Sequence, residues 1–207
     1  MKTDEIWMHI HAERAQMAHA FVDLSEQQWN AASWCVGWKV RDTAGHILAA
    51  AEQTPLNFYK EMTQAGFRFN VFADRAAKRL GTLAPDEMAE RLRLRTTTTN
   101  HPPAPVMAML GEIIVHGADI RRPLGLGHQP TEAALVAVAD TYRRTNLLIG
   151  SKRRIAGLRI EATDCEWSTG SGPRVAGPLL SLVLAMSGRR QACDDLDGDG
   201  VDTLAQR

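Results

Sequence analysis

The chain has 207 residues, 44% of them hydrophobic and 23% charged, with 24 lysines and arginines against 24 aspartates and glutamates. This composition provides enough apolar residues to bury a core, so it excludes disorder as the main state. A general nucleic-acid binder carries an excess of basic residues, and the balanced charge argues against that class of function.

The sequence also argues against a membrane protein and against a disulfide-stapled domain. No apolar run reaches the roughly 18 residues of a membrane span. The first residues, MKTDEIWMHIHAER, lack the plain apolar core of a signal peptide. The cysteines, Cys35, Cys165 and Cys193, are widely spaced and form no CxxC pair, which indicates neither a disulfide framework nor a thiolate zinc site. We therefore expect a cytoplasmic protein with no nucleic-acid or membrane partner.

Residues 1–150 carry mainly helical patterns. Apolar residues recur at helical spacing between Asp4 and Leu24. The segment from Val40 to Gln53 is small and apolar nearly all round, as expected of a helix buried inside a bundle. Residues 54–84 are predicted to form a helix broken by a loop. Further helices are predicted over 84–95, after Pro105, and from Thr131 to about Ile149. Together these segments, four or five helices, predict an antiparallel helical bundle.

The pattern changes after Gly150. Residues 157–163, GLRIEAT, alternate as a strand does, and a second short strand is predicted around Val175. Residues 178–187 are predicted to form a buried helix. We therefore divide the chain into a bundle domain over 1–150 and a small α+β domain over 151–207. The predicted fold class is mainly α, a bundle followed by a small α+β element.

The residues best suited to chemistry are His46, Glu112 and His116. Glu112 and His116 are four residues apart, so they lie about 40° apart on one helical face. His46, from another predicted helix, can complete a three-ligand metal site across the bundle core. Two imidazoles and a carboxylate suit zinc, and three protein ligands leave a fourth position for water or substrate.

A plainer interpretation of these residues is also open, because a Glu-x-x-x-His pair is common on solvated helix faces. Against it, all three residues interrupt apolar, small segments, where a buried carboxylate needs a compensating charge. Two further carboxylates are candidate supporting residues. Glu13 falls within the apolar stripe of the first helix, and it either supports the site, pairs with an arginine or extends to solvent. Asp119 either orients a ligand histidine or pairs with Arg121 or Arg122.

Two segments resemble motifs of a known family. CVGWKVRDTAGHI, from Cys35 to Ile47, resembles the C-x-G-W-x-V-R-D-x-x-x-H motif of the DinB-like, mycothiol-dependent maleylpyruvate isomerase family. GEIIVHGADIRRPLG, from Gly111 to Gly125, resembles its E-x-x-x-H-x-x-D-x-R-x-P-L-G motif. Two departures concern the entry to the second helix: Val36 stands where proline is usual, and Lys39 where a capping threonine or serine is usual.

The resemblance implies a DinB-like, antiparallel four-helix bundle that binds metal through His46, Glu112 and His116. It further implies a divalent metal, zinc by preference, and mycothiol as a thiol cosubstrate that attacks a small electrophile, in a transferase or a cis–trans isomerase. A dicarboxylate substrate then needs an arginine, and the candidates are Arg122, Arg174, Arg189 and Arg190. The cysteines of the chain are expected to be poor nucleophiles, since none has a neighbouring base in sequence.

An alternative function belongs to a different class. A DinB-like bundle can bind metal without turnover, as a stress-response or interaction module. An open metal position favours the enzyme and a closed one favours the module. The sequence leaves the substrate, the metal and the choice between monomer and homodimer undetermined.

Overall fold

Helices make up most of the computed structural model, which describes residues 1–147 and 149–207. Its internal contacts separate two units, Met1–His128 and Gln129–Arg207. The helices of the N-terminal unit are α1 (Thr3–Asp23), α2 (Glu26–Asn30), α3 (Val40–Glu52), α4 (Pro55–Gln64), α5 (Phe69–Gly81), α6 (Pro85–Arg93) and α7 (Val106–Arg121).

The N-terminal unit is a helical bundle. Helix α1 packs against α6 and α7, and α3 packs against α5 and α7. The α1 stripe predicted from the sequence is buried, with Ile10, Met17 and Phe21 fully inaccessible. At the start of α3 the Asp42 carboxylate accepts a hydrogen bond of 2.9 Å from the Lys39 backbone N–H, so the helix is capped although Lys39 lacks a capping oxygen.

One close contact fixes the position of α3. A Cβ atom on Gly45 would lie 2.2 Å from the Ala77 carbonyl oxygen of α5, closer than any real contact. Only glycine lets the two helix backbones approach so closely at this point. Because His46 is the next residue, this contact also sets the position from which its side chain leaves α3.

The C-terminal unit combines helices with a small sheet. Its elements are α8 (Glu132–Tyr142), α9 (Ser151–Arg154), β1 (Arg159–Ala162), β2 (Ser168–Gly170), β3 (Arg174–Gly177), α10 (Leu179–Met186), a 3₁₀ helix (Arg190–Asp195) and α11 (Val201–Ala205). The strand order is β2-β1-β3, with β1 antiparallel to β2 and parallel to β3. The predicted fold class, a helical bundle followed by a small α+β element, is confirmed.

Two boundaries differ from the prediction. The division by contacts comes at His128, earlier than residue 150, because α8 packs against α10 of the C-terminal unit. The helix predicted to reach about Ile149 ends at Tyr142, where the chain turns and the Asn146 side chain accepts a hydrogen bond from the Arg153 backbone N–H. Leu148, within that predicted helix, lies outside the described residues.

None of the helices among the described residues has both the length and the apolar character needed to cross a membrane. The interpretation of 1–150 and 151–207 as two domains remains a prediction.

Candidate metal centre

His46, Glu112 and His116 lie together in the N-terminal unit, and we refer to them as the ligand cluster. One ligand atom from each lies within 4.8 Å of the others. His46 Nε2 is 3.7 Å from Glu112 Oε1, and the two imidazole centroids are 4.7 Å apart with nearly perpendicular planes. The i, i+4 spacing places both α7 side chains on the face that packs against α3, which supplies His46.

The Glu112 carboxyl group is poorly compensated. Its side chain is 17% exposed, but Oε1 is buried and has no hydrogen-bond partner. Burial raises the pKa of Glu112 to about 8, and the positive charge of Arg14 opposes this rise only in part. An uncompensated buried carboxylate is unfavourable, and a cation held beside it removes that penalty.

A second group of side chains surrounds the Nδ1 atom of His116, and we refer to Cys35, Asp119 and His116 as the Cys35 cluster. His116 Nδ1 lies 2.9 Å from Asp119 Oδ2. The Cys35 thiol donates a hydrogen bond of 3.0 Å to the same oxygen, and its Sγ lies 3.4 Å from His116 Nδ1. Asp119 is fully buried. Of the two predicted roles for Asp119, the contact with His116 matches the orienting one.

The hydrogen bond to Asp119 has a consequence for His116. A carboxylate only accepts, so Nδ1 carries the proton and Nε2 keeps its lone pair. Histidines that bind metals commonly donate their other ring N–H to a carboxylate in this way. His116 is therefore prepared to bind a cation through Nε2.

Cys35 lies in a loop, residues 31–39, that is hydrogen-bonded to α7. The Trp34 backbone N–H donates a hydrogen bond of 3.0 Å to the carbonyl of Asp119. Within the loop, the Cys35 backbone N–H donates to Ser33 Oγ, and Gly37 adopts a φ of 80°, which favours glycine. The loop thus holds the thiol beside Asp119, although the fully exposed Val36 replaces proline at its tip.

Trp38, the aromatic residue of the first motif, supports His46. Its ring centroid lies 5.2 Å from that of His46 in a tilted arrangement. Its Nε1–H donates a hydrogen bond of 3.0 Å to Asp74 Oδ1 on α5. The imidazole of His46 is therefore in contact with aromatic rings of Trp38 on one side and His116 on another.

The α1 residues Glu13 and Arg14 are both buried, and they have different partners. Glu13 Oε2 pairs with His128 Nε2 at 2.8 Å, and its charge also acts on the pKa of Arg121. The charge on α1 that acts on Glu112 belongs to Arg14. Burial lowers the pKa of Arg14 itself to about 10. His128 is half-buried in this pair.

Cys35 has no neighbouring base in sequence, but it has two in space. Asp119 and His116 are more than eighty residues away in sequence but contact its thiol in space. The available signal was the motif, which contains Cys35 and places it on the chain just before the helix of His46. Of the arginine candidates, Arg122 caps the end of α7, and Arg174, Arg189 and Arg190 belong to the C-terminal unit.

The donor set fits a zinc-sized ion. Two imidazoles and a carboxylate match catalytic zinc sites, which have three protein ligands and an open position. The buried Oε1 of Glu112 without a hydrogen-bond partner, beside two histidines, is the structural observation that supports this fit.

The comparisons with known proteins agree with the fold. Residues 10–101 match the family model of the mycothiol maleylpyruvate isomerase N-terminal domain. This match includes Cys35 and His46, and Glu112 and His116 lie beyond it. No curated protein has a significant match to the chain.

Two solved structures share the fold. The crystal structure of the mycothiol-dependent maleylpyruvate isomerase has a TM-score of 0.65 at 13% identity, over 96% of this chain and 93% of that one. A histidine-to-alanine mutant of that enzyme gives 0.64 with the same identity and coverage. The resemblance predicted from the two motifs is thus confirmed, since residues 10–101 match the model of that family's N-terminal domain and the fold is shared with a solved maleylpyruvate isomerase.

Proposed function

We propose that this chain is a metal-dependent thiol transferase or isomerase, in which His46, Glu112 and His116 hold zinc and mycothiol is the thiol cosubstrate. The observation that carries the proposal is the buried, unpartnered Oε1 of Glu112 beside two imidazoles. The match of residues 10–101 to the mycothiol maleylpyruvate isomerase N-terminal domain model supports mycothiol as the thiol.

The metal has one task in this proposal. Bound zinc supplies an open position at which a thiol is held as thiolate near neutral pH, because coordination strongly lowers a thiol pKa. The protein has the task of presenting its ligands in the correct protonation state and orientation.

The side chains around the ligand cluster perform that task. Asp119 holds the proton of His116 on Nδ1, which keeps the Nε2 lone pair for the metal. The packing of Trp38 against His46 restricts the rotation of that imidazole. The positive charge of Arg14 favours the ionised form of Glu112, the form that binds a cation.

The substrate in this proposal is a small electrophile with an activated double bond. In isomerisation, the thiol sulfur adds to that bond, the resulting single bond rotates, and the same sulfur leaves. In transfer, the sulfur stays on the product. The two structurally similar proteins are maleylpyruvate isomerases, which makes maleylpyruvate the first substrate to test.

Metal analysis of the purified protein tests the ligand set. We expect about one zinc per chain in the parent, and affinity at least about 100-fold lower in His46→Ala and Glu112→Gln, which exceeds the effect of losing an outer-shell partner. The matched control is His19→Ala, the same substitution at an exposed position of the same unit. Stoichiometric zinc in both ligand variants contradicts the site.

An assay of mycothiol with maleylpyruvate, and with a general electrophile, then tests turnover. We expect activity in the zinc-loaded parent and in His19→Ala, and loss of activity in His46→Ala and Glu112→Gln. If zinc binding requires His46 and Glu112 but the protein catalyses no reaction with mycothiol, the chain is instead a non-catalytic metal-binding module.

A further inference from the structure

We infer that the Cys35 cluster is a second, alternative metal position, in which Cys35 Sγ, His116 Nδ1 and Asp119 Oδ2 bind a thiophilic divalent cation. The proposal that this position binds an ion stands on its own residues. The consequence for catalysis, which is that such an ion displaces zinc from the ligand cluster, rests on the proposed function.

The three atoms already form a triangle of suitable size. Their separations are 2.9 Å between nitrogen and oxygen, 3.0 Å between sulfur and oxygen, and 3.4 Å between sulfur and nitrogen. In a tetrahedral site with ordinary zinc bond lengths, ligand atoms lie about 3.3–3.6 Å apart. A bound ion therefore lengthens these separations by about half an ångström at most, the largest change being between Cys35 Sγ and Asp119 Oδ2.

The chemistry of the donors selects the kind of ion. A thiolate, an imidazole and a carboxylate together suit a soft or borderline cation and disfavour magnesium or calcium, which prefer oxygen ligands. The thiolate and the carboxylate of the fully buried Asp119 neutralise a divalent charge, so the complex is compatible with burial.

The proton balance is simple. The thiol loses its proton to solvent when the metal–sulfur bond forms, while the imidazole proton moves from Nδ1 to Nε2 as Nδ1 binds the ion. One proton is therefore released for each cation bound. The ion replaces the hydrogen bonds that Asp119 accepts from Cys35 and His116.

The shared imidazole couples the two positions. With an ion on Nδ1, the proton occupies Nε2, and His116 can no longer bind zinc together with His46 and Glu112. With zinc on Nε2, the proton occupies Nδ1 and returns to its hydrogen bond with Asp119. Two ions together require an imidazole without any ring proton, so a cation at the Cys35 cluster competes with zinc.

Cadmium titration of the metal-free, full-length protein tests the inference. Cadmium is thiophilic, and its bond to a thiolate gives an ultraviolet charge-transfer band. We expect this band to saturate at one cadmium per chain and to disappear in Cys35→Ser. The matched control is Cys165→Ser, another half-buried cysteine, which should keep the band.

A second measurement needs no variant. Alkylation of Cys35 by iodoacetamide, followed by mass spectrometry, should slow by about tenfold or more when cadmium holds the thiolate. Cadmium that binds without a thiolate band, a band that persists in Cys35→Ser, or alkylation of Cys35 that cadmium does not slow each overturns the inference.

The coupling is tested in the zinc-loaded protein. Cadmium should release zinc in about a one-to-one ratio from the parent and not from Cys35→Ser. His46→Ala separates the two proposals, because it removes the zinc position and leaves the Cys35 cluster complete. His46→Ala combined with Cys35→Ser leaves neither position complete, so full zinc affinity in that double variant refutes the proposed function alone. Loss of the cadmium–thiolate band in His46→Ala refutes the inference alone.

Discussion

The two edges of the His116 imidazole have opposite surroundings. On the Nδ1 edge, Asp119 accepts hydrogen bonds from both His116 and Cys35. In the ligand cluster, Glu112 Oε1 has no hydrogen-bond partner and lies 3.7 Å from His46 Nε2. The two clusters share His116 and have a similar degree of burial. The side chains of the Cys35 cluster form hydrogen bonds with one another, whereas the ligand cluster leaves Glu112 Oε1 without a hydrogen-bond partner.

This difference indicates what each edge does. A buried polar group without a partner destabilises a protein by about 1–3 kcal/mol, more if it is charged, and persists where function requires it. The proposed function accordingly places the resident cation in the ligand cluster. In the further inference, the Cys35 cluster, whose polar atoms already contact one another, exchanges its protons only for a cation that binds sulfur well.

The largest expected effect comes from removing the shared residue. His116→Ala eliminates a ligand of both positions, so zinc and cadmium affinities should each fall by at least about 100-fold, more than for loss of a supporting partner. Isothermal titration of the metal-free protein with each ion measures this. His46→Ala should lose only zinc, and the comparison between the edges fails if His116→Ala keeps either ion.

The next effect concerns the stability of the metal-free protein. Burial raises the pKa of Glu112 to about 8, well above its value of about 4.3 in an unfolded chain. Between these pH values the folded state binds more protons than the unfolded chain, so protonation of Glu112 stabilises the folded state. This stabilisation is complete at low pH and is lost as pH rises through about 8. The decrease in unfolding free energy is at most about 1.4 kcal/mol per pH unit.

Urea unfolding of the metal-free protein at about pH 5, 6.5 and 8 measures that decrease. Glu112→Gln is neutral at every pH and should lack the contribution, so the difference between parent and variant isolates this one carboxyl group. Parallel pH profiles for the two proteins are the result that contradicts the assignment.

The smallest expected effect is on the unfolding free energy when Trp38, which packs against His46, is replaced. Trp38→Phe removes the hydrogen bond from Nε1 to the half-exposed Asp74 and keeps an aromatic ring beside His46. We expect an unfolding free energy lower by at most about 1 kcal/mol, with zinc affinity unchanged. Trp38→Ala removes the ring as well and should lower zinc affinity. Equal zinc affinities in the two variants argue against a role for the ring in orienting His46.

Local patterns predicted the elements better than the contacts between them. The alternation in 157–163 predicted β1, and the spacing of Glu112 and His116 placed both on one face of α7. The role of Cys35 was missed because its partners are 81 and 84 residues away, and no local pattern encodes such a contact.

The partners of the α1 charges could not be read from the sequence for a different reason. A helical stripe gives a mean direction, and Glu13 lies close to that direction, but adjacent residues differ by about 100° and both can be buried. Glu13 pairs with His128, while Arg14 extends over Trp7 and donates a hydrogen bond to the carbonyl of Arg95. Only the neighbouring elements determine which of the two charges reaches Glu112.

The contact at Gly45 makes this centre suitable for redesign. The close approach of α3 and α5 depends on the missing side chain of Gly45, while the next residue, His46, is a ligand in the proposed function. Backbone placement and the proposed metal chemistry thus fall to separate, adjacent positions. Under that proposal, a different donor at residue 46 should change the preferred metal while the helix keeps its register, so the same fold could serve several metals.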